Sequence, residues 1–354
     1  MRVIKSLSPA LWVCLGFFSV SLTWVAISRE PVPAEKIISG GFPFIELLGV
    51  LIAGVLIRAT RERPRILILA LVWLIPGYAG WSLASGESLM PLRDWIPDPA
   101  IEFLSNYRLI LSLLSILPLF WLGQLRVVGA LLVEVLPCFL MVLAYPFVPL
   151  MIRTSGRADF DPVLLRMDQW IFGGVNPHFW ISARMQPWLT EWFAFCYSLY
   201  GALILAVFGL LILSDRKEGL RQFVFRFTLI LAIGYTCYAL VPVQGPVFTL
   251  AFPEPMDLRY LQGVKEALMD RARIERDCFP SLHTALTVLA WGTLLNHSRR
   301  LAWVFSPFAF TVPVACIALR YHYVLDVIVG GVLVGAVLWI TRSNKKRRQG
   351  ESPA

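Results

Sequence analysis

Apolar residues in this chain come in long runs separated by short polar joints. Ten runs approach the roughly 20 residues that an α-helix needs to cross a bilayer. They lie at residues 9–28, 42–58, 66–85, 107–123, 127–151, 189–213, 222–241, 282–297, 301–319 and 322–341. The first run is too long for a signal peptide and lacks a suitable cleavage site, so we interpret it as an anchor. The pattern predicts an all-α, polytopic membrane protein with about ten transmembrane helices.

The composition agrees with this pattern and excludes other classes of protein. Of the 354 residues, 57% are hydrophobic and only 16% are charged, and the mean hydropathy is +0.68. A soluble domain carries about 25% charged residues, so a water-soluble globule is excluded, as are a disordered chain and a disulfide scaffold. Five of the six cysteines lie in apolar runs and Cys278 stands alone in a long loop. This spacing predicts packing residues and no structural metal.

Basic residues predict the orientation in the membrane. They occupy alternate joints, which share one side if all ten runs cross, and that side is the cytoplasm by the positive-inside tendency. These joints hold Arg2 and Lys5, Arg58 to Arg65, Arg126, Arg216 to Arg221, Arg299 and Arg300, and Lys345 to Arg348. Both termini are then cytoplasmic, and the net charge of +9 indicates contact with anionic lipid and no nucleic-acid partner. Long loops at about 29–41, 86–106, 152–188 and 242–281 fall on the extracytoplasmic side.

The four histidines of the chain have informative positions. His178 lies in a Trp-rich segment that suits short helices in the membrane interface, and His297 lies in a cytoplasmic joint. Structural roles suffice for both. The predicted topology puts His283 and His322 together at the extracytoplasmic mouths of two helices. These two histidines are therefore the candidates for chemistry.

The residues around His283 are typical of a helix start that binds an anion. Pro280 followed by Ser281 predicts a helix with Ser281 as its N-cap. The free N–H groups and the positive dipole end of such a helix attract phosphate, and the Ser281 hydroxyl adds a donor. His283 in the first turn is placed to protonate a leaving oxygen.

The residues around His322 suggest an activated imidazole. Asp326 follows four residues later, which predicts that both side chains share one helix face. A carboxylate there fixes the imidazole tautomer and leaves the other nitrogen free to attack. An acid inside a membrane helix is a functional candidate by default. A purely structural pair is one alternative, and a metal site is another, although no third histidine is well placed to complete it.

Together these motifs resemble a known family. Phe-Pro-Ser-Leu-His at 279–283, followed by His-Tyr-x-x-x-Asp from His322, is similar to the type-2 phosphatidic acid phosphatase superfamily. The chain most resembles its inositol phosphorylceramide synthase-like (inositolphosphotransferase) branch. Further similar pieces are Asp161-x6-Asp168-x4-Gly173 with Pro177, Tyr197 with Tyr200, and the stretch from Gly234-Tyr235 to Gly245-Pro246. The resemblance covers roughly residues 125–342.

The resemblance implies a fold and a set of roles. The fold would be a six-helix core with its site at one membrane face. His322 would be the nucleophile that forms a phospho-histidine, His283 the general acid, Asp326 the residue that orients the nucleophile, and Ser281 a phosphate ligand. No cofactor is implied. Tyr197 and Gln244 would be further residues that contact the substrate phosphate.

The chain departs from the superfamily pattern in its cations. It has no Lys-x6-Arg-Pro motif, and Cys316 stands where an arginine usually precedes the nucleophilic histidine by six residues. Arg320 is a candidate substitute, because a shift of four residues along a helix keeps the same face. Arg276 and Arg273 are other candidates. The missing motif favours the synthase-like branch over a simple monoester phosphatase.

These observations predict an enzyme that acts on a lipid phosphate or phosphodiester. They also divide the chain into three segments. Residues 1–124 form N-terminal transmembrane helices of unknown role, 125–342 form the catalytic core, and 343–354 form a basic cytoplasmic tail. With an alcohol acceptor the enzyme is a phosphotransferase, which we favour and which would belong to sphingolipid metabolism. With water it is a lipid phosphatase of the phosphatidic acid or polyprenyl pyrophosphate type. A lipid transporter is the alternative of another class, although no repeated halves are evident.

Overall fold

The computed structural model of this chain describes residues 8–28, 125–198, 200–253, 256 and 276–350. Among these residues it is helical and contains no strand, apart from an isolated bridge between Val243 and Asp277. A 3₁₀ turn occupies Tyr145–Phe147. The helices, numbered over the described residues, are α1 (Pro9–Ser28), α2 (Leu125–Ala144), α3 (Val148–Ser155), α4 (Asp161–Ile171), α5 (Pro177–Ser182), α6 (Pro187–Ser198), α7 (Tyr200–Leu213), α8 (Lys217–Leu240), α9 (Pro246–Thr249), α10 (Leu282–His297), α11 (Arg299–Ala318) and α12 (Val324–Gly350).

Within the described part of the chain, four helical stretches are long and apolar enough to cross a membrane. They are Pro187–Leu213, Lys217–Leu240, Arg299–Ala318 and Val324–Arg342. Three of the ten predicted runs, 42–58, 66–85 and 107–123, lie outside the described residues. Helix α10 has 16 residues and is not among the four. A helical membrane protein is thus supported, and the number of ten helices stays a prediction.

Helix α10 lies at the centre of this bundle. It packs against α7, α8, α11 and α12, while α1 and α2 pack on the outer side of α8. The leucines and alanines of α10 form part of a continuous apolar core, and several of its residues are fully buried. The first turn of α10, which holds His283, is therefore fixed by neighbours on several sides.

Two glycines allow the first turn of α10 to approach its neighbours closely. A Cβ atom added at Gly330 of α12 would lie 2.5 Å from the backbone carbonyl oxygen of Ser281. A Cβ atom at Gly234 of α8 would lie 2.5 Å from a methyl carbon of Leu282. Small residues are the usual means by which membrane helices approach one another. Here they set the position of the helix start that carries His283.

We expect Gly330→Ala to lower both the thermal stability and the activity of the protein. The new methyl group meets a backbone oxygen, which cannot rotate away, so α12 must move from α10. Overpacking of this kind typically costs about 1–3 kcal/mol. Gly331→Ala is the matched control, because no atom lies within 4 Å of a Cβ atom there. Thermal unfolding and turnover of both variants test this, and equal behaviour of the two would contradict the role of Gly330.

The segment from α4 to the start of α6 exposes large aromatic side chains. Helix α4 buries Asp161, Leu164 and Asp168 on one side. On exposed positions the segment carries Trp170 (84% exposed), Trp180 (54%) and Trp188 (68%). Tryptophan prefers the membrane–water interface, so these exposures agree with the predicted interfacial position of α4 and α5.

Candidate active site

His283 lies in the first turn of α10, as the sequence predicts. Ser281 is the N-cap, and its hydroxyl oxygen accepts a hydrogen bond from the backbone N–H of Thr284 at 3.3 Å. Two tyrosines enclose the His283 ring, with ring centroids 4.6 Å away for Tyr197 and 4.7 Å away for Tyr200. The Tyr197 hydroxyl lies 3.0 Å from Nε2 and 3.3 Å from Nδ1 of His283. Tyr197 thus orients this histidine.

His322 lies just before α12 and not on it, so the prediction of a shared helix face with Asp326 is wrong. Helix α12 begins at Val324, and Asp326 in its first turn reaches back to accept the backbone N–H of Tyr323 at 2.9 Å. This hydrogen bond from Tyr323 to Asp326 resembles the one that an acidic residue accepts in a capping box. The same carboxylate oxygen, Oδ2, lies 3.5 Å from Nδ1 of His322. The carboxylate and the imidazole are therefore neighbours, with a loop in place of a helical turn, and the orienting role of Asp326 stays a prediction.

The structure brings His283 and His322 together. Their ring centroids are 5.8 Å apart, with the planes inclined at 62°. The two helix starts are also tied directly, because the backbone N–H of Ser281 donates to the carbonyl oxygen of Asp326 at 3.1 Å. Two imidazoles at this separation can both contact one reacting group that lies beside them. Such a pair can supply a nucleophile and a proton donor to one phosphorus centre.

Ser281 is fully buried, and its hydroxyl already has neighbours. Its Oγ lies 3.1 Å from Thr284 Oγ1, and 3.8 Å from the sulfur of Cys316. Cys316, the residue at the usual arginine position, is therefore close to the N-cap and contributes no charge there. The hydroxyl of Ser281 stabilises the helix start. The expectation that this helix start binds an anion then depends on its backbone N–H groups.

Two buried carboxylates hold the loops around the site. Asp168 of α4 accepts the backbone N–H groups of Val324 at 2.8 Å and Leu325 at 2.9 Å, so it caps the start of α12. Asp161 accepts the backbone N–H groups of Gln244 at 2.9 Å and Gly245 at 2.8 Å. Both side chains are buried. The two acids that the sequence motif contains are thus clamps for the backbone beside His322.

Further buried groups connect these clamps. Nε2 of His178 lies 3.4 Å from Asp168 Oδ2, and the Tyr323 hydroxyl donates to Asp161 Oδ1 at 3.2 Å. Burial raises the pKa of the Tyr323 phenol, so this hydroxyl stays protonated and remains a donor. His178 is fully buried against the edge of the Tyr323 ring. A structural role for His178, which the sequence suggests, agrees with these contacts.

Arg276 and Gln244 meet at a carboxylate. The Nε atom of Arg276 lies 2.6 Å from Asp159 Oδ1, and its Nη2 donates to Oδ2 at 3.2 Å. The side-chain amide of Gln244 donates to the same Oδ2 at 2.7 Å. Asp159 is therefore the shared carboxylate partner of these two donors.

Arg320 lies beyond the end of helix α11, although the sequence predicts that it belongs to that helix. Helix α11 ends at Ala318, and Arg320 has a positive φ of 66°. The argument that a four-residue shift keeps the helix face is therefore wrong. The Nε atom of Arg320 donates to Ser182 Oγ at 3.0 Å, and its guanidinium lies 4.1 Å from the centroid of the Phe252 ring. Arg320 lines a pocket of about 410 Å³ with apolar walls from Phe179, Ala183, Ala251 and Pro253.

Cys278 is a neighbour of His322 that sequence reasoning missed. It is buried, and its thiol donates to the carbonyl oxygens of Tyr321 at 3.1 Å and Gln244 at 3.2 Å. Its sulfur, one ring nitrogen of His322 and one carboxylate oxygen of Asp326 all lie within 4.8 Å of one another. The interpretation of Cys278 as an apolar packing residue is therefore incomplete. The adjacency of Cys278 to Pro280-Ser281-Leu282-His283 was the available signal.

A tyrosine of the 3₁₀ turn fixes the residue before Cys278. The hydroxyl of Tyr145 donates to Asp277 Oδ2. Asp277 also pairs through its backbone with Val243. The loop that leads into α10 is thus held on the side of Tyr145 and on the side of Gln244.

Comparison with known proteins gives one match. A family model for the PAP2 superfamily matches residues 162–340, just over half of the chain. The match includes Asp168, His178, Tyr197, His283 and His322 together with Asp326. No curated protein and no solved structure matches the chain.

Proposed function

The chain belongs to the PAP2 superfamily, and on that premise we propose that it transfers the phosphate-containing head group of a lipid through a phospho-histidine on His322. Membership in this superfamily supports an enzyme of the lipid phosphatase or phosphotransferase type. The observation that carries the specific proposal is the pairing of His283 and His322, with centroids 5.8 Å apart and Asp326 beside one of them.

The first half of the reaction forms a nitrogen–phosphorus bond. Asp326 accepts the Nδ1–H of neutral His322, which leaves the lone pair of Nε2 free to attack phosphorus. The bond between phosphorus and the leaving oxygen breaks, and protonated His283 gives its proton to that oxygen. Backbone N–H groups at the start of α10 stabilise the charge on the phosphoryl oxygens.

The second half restores both histidines. Neutral His283 takes a proton from an acceptor hydroxyl, whose oxygen attacks the phosphorus of the phospho-histidine. The nitrogen–phosphorus bond breaks and His322 leaves as a neutral imidazole. With an alcohol as acceptor the product is a new phosphodiester, as in the inositol phosphorylceramide synthase-like branch. With water the product is inorganic phosphate or a phosphorylated head group.

A panel of lipid substrates tests this function. Purified protein is incubated with phosphatidic acid, a polyprenyl pyrophosphate and phosphatidylinositol, each with and without a long-chain lipid alcohol. When the alcohol is present, we expect a new phosphorylated lipid to form. The amount of this lipid should exceed the amount of phosphate released. Phosphate release that is the same with and without the alcohol would support the phosphatase alternative instead. If none of the lipids reacts, the enzyme proposal is contradicted, and a lipid transporter is the alternative to test.

The phosphate ligands are proposed to include Arg276, Arg320 and Gln244 with Tyr197 and Ser281. Asp159 holds Arg276 and Gln244 in place, and an incoming phosphate takes over these donors. We expect Arg276→Gln and Arg320→Gln each to raise KM and slow turnover, and Arg276→Lys also to lose activity, because lysine cannot make the bidentate contact. Arg184→Gln is the control, since Arg184 lies on the Trp180 ring at an exposed position. Full activity of the Arg276→Gln, Arg320→Gln double variant would refute this assignment.

We propose that both termini are cytoplasmic and that the site opens on the extracytoplasmic side. The support is the alternation of basic joints along the sequence. A reporter fused after Lys346 should therefore read as cytoplasmic, and one inserted in the loop 247–275 should read as external. Both reporters on one side of the membrane would contradict the proposed topology.

A further inference from the structure

Three different metal-ligating groups converge at the start of α12. They are the thiol of Cys278, the imidazole of His322 and the carboxylate of Asp326, all within 4.8 Å of one another and all buried. The three residues come from two loops and one helix, so their convergence is a product of the fold. Among the described residues none donates a hydrogen bond to Asp326 Oδ1, which is buried. The Asp326 carboxylate therefore keeps acceptor capacity for a cation on Oδ1, while its Oδ2 lies 3.5 Å from His322 Nδ1.

We propose that these three residues form a site for a thiophilic divalent cation such as Zn²⁺, and that its occupation inhibits the enzyme. Zinc takes sulfur, nitrogen and oxygen ligands at about 2.0–2.3 Å, and three protein ligands leave a fourth position open. Tetrahedral bonds of that length place ligand atoms about 3.5 Å apart. Nδ1 of His322 and Oδ2 of Asp326 already lie 3.5 Å apart. Closure of the cysteine toward them completes the set.

The cysteine is held in a suitable place. Its thiol donates to two backbone carbonyls, of Tyr321 and Gln244, which fixes the sulfur beside the residue that precedes His322. On metal binding the thiol gives up its proton to solvent and the thiolate becomes the ligand. The thiolate and the Asp326 carboxylate together then balance the two charges of the ion.

Inhibition follows from competition for the groups that activate His322, and this part of the inference rests on the proposed function. A cation on Asp326 prevents that carboxylate from accepting the Nδ1–H of His322. A cation on the imidazole itself withdraws electron density from the ring that should attack phosphorus. Either contact removes the neutral, oriented imidazole on which the reaction depends.

Direct binding is measured on the purified full-length protein in detergent, with Co²⁺ as the probe. We expect one equivalent of Co²⁺ to produce a thiolate-to-cobalt charge-transfer absorption that Zn²⁺ displaces. Cys278→Ser should abolish the absorption, because serine retains a hydrogen-bond donor and lacks the sulfur. Asp326→Asn should weaken Co²⁺ binding by more than about 10-fold, the lower end of what loss of an outer-shell partner causes. Cys196→Ser, a buried cysteine of α6, is the matched control and should keep the absorption.

Inhibition is measured separately as the ratio of turnover with and without Zn²⁺. We expect Cys278→Ser to raise the Zn²⁺ concentration for half-inhibition at least about 10-fold, and Cys196→Ser to leave it unchanged. Zn²⁺ that inhibits Cys278→Ser as strongly as the natural protein would overturn the inference, as would an absorption that survives Cys278→Ser. Cobalt binding that depends on Cys278, in a protein that acts on no lipid phosphate, would refute the proposed function while upholding the site.

Discussion

Replacing His322 with alanine is expected to abolish the covalent phospho-enzyme, whereas replacing His283 is expected only to slow its formation. The difference follows from the two roles. The nitrogen that bonds to phosphorus belongs to His322, so its loss removes the group that would carry the phosphoryl group. His283 supplies a proton to the leaving group, and general acid catalysis is typically worth about 10²–10⁴-fold.

The leaving group separates these roles experimentally. With a nitrophenyl phosphodiester the leaving oxygen needs no proton, so His283→Ala should recover much of its loss and His322→Ala should recover none. Asp326→Asn should fall between them, because the amide can hold His322 in the wrong tautomer. His297→Ala is the control, since His297 lies at the opposite end of α10 and its Nδ1 lies 2.9 Å from the backbone carbonyl oxygen of Thr293. If a labelled phospho-enzyme survives in His322→Ala and disappears in His283→Ala, His283 is the nucleophile and His322 the general acid.

Asp168→Asn is expected to reduce turnover by about 10²-fold although Asp168 does not touch the reacting atoms. The carboxylate accepts two backbone N–H groups at the start of α12, and an asparagine has only one side-chain oxygen to offer them. A buried N–H group left without an acceptor costs about 1–3 kcal/mol. The start of α12 then shifts, and a displacement of about 1 Å at a reacting group can cost 10²-fold in rate.

Three readouts test the positioning role of Asp168. Thermal unfolding should show a lower midpoint for Asp168→Asn. The nitrophenyl substrate should not rescue its turnover, which distinguishes a displaced nucleophile from a missing proton donor. Glu218→Gln, a change of an exposed acid in the first turn of α8, should alter neither quantity. Turnover of Asp168→Asn near that of the natural protein would mean that His322 keeps its place without the clamp.

The sequence predicts the local features of this site better than its long-range contacts. The N-cap at Ser281 follows from a short pattern of Pro, Ser and an apolar run, and the structure contains it. The cap of α12 could not be predicted from neighbouring residues, because the Tyr323 side chain does not accept the N–H groups of the first turn. The acceptor is Asp168, which lies 156 residues before Val324 in the sequence. Only the spacing of Asp161 and Asp168 within the family-like motif hinted at a role.

Other residues escaped prediction because helix periodicity ends before them. The break after Ala318 releases Arg320 from the helix face and places His322 in a loop. A periodic argument cannot place such residues, since its premise is a continuous helix. Cys278 escaped for a different reason, because a lone cysteine in a loop offers no spacing to interpret. Its meaning comes only from the residues that the fold brings beside it.

The length of α6 separates an exposed tryptophan from the histidine pair. Trp188 near its start is 68% exposed, as an interfacial residue should be, while Tyr197 near its end lies against His283. Nine residues of α-helix separate the two, which is about 14 Å along the axis. With Trp188 in the membrane interface, as the sequence predicts, a phosphorus centre beside His283 would react below the tryptophan level, where bulk water is scarce. We therefore expect this depth to favour the proposed transfer to a lipid alcohol over hydrolysis.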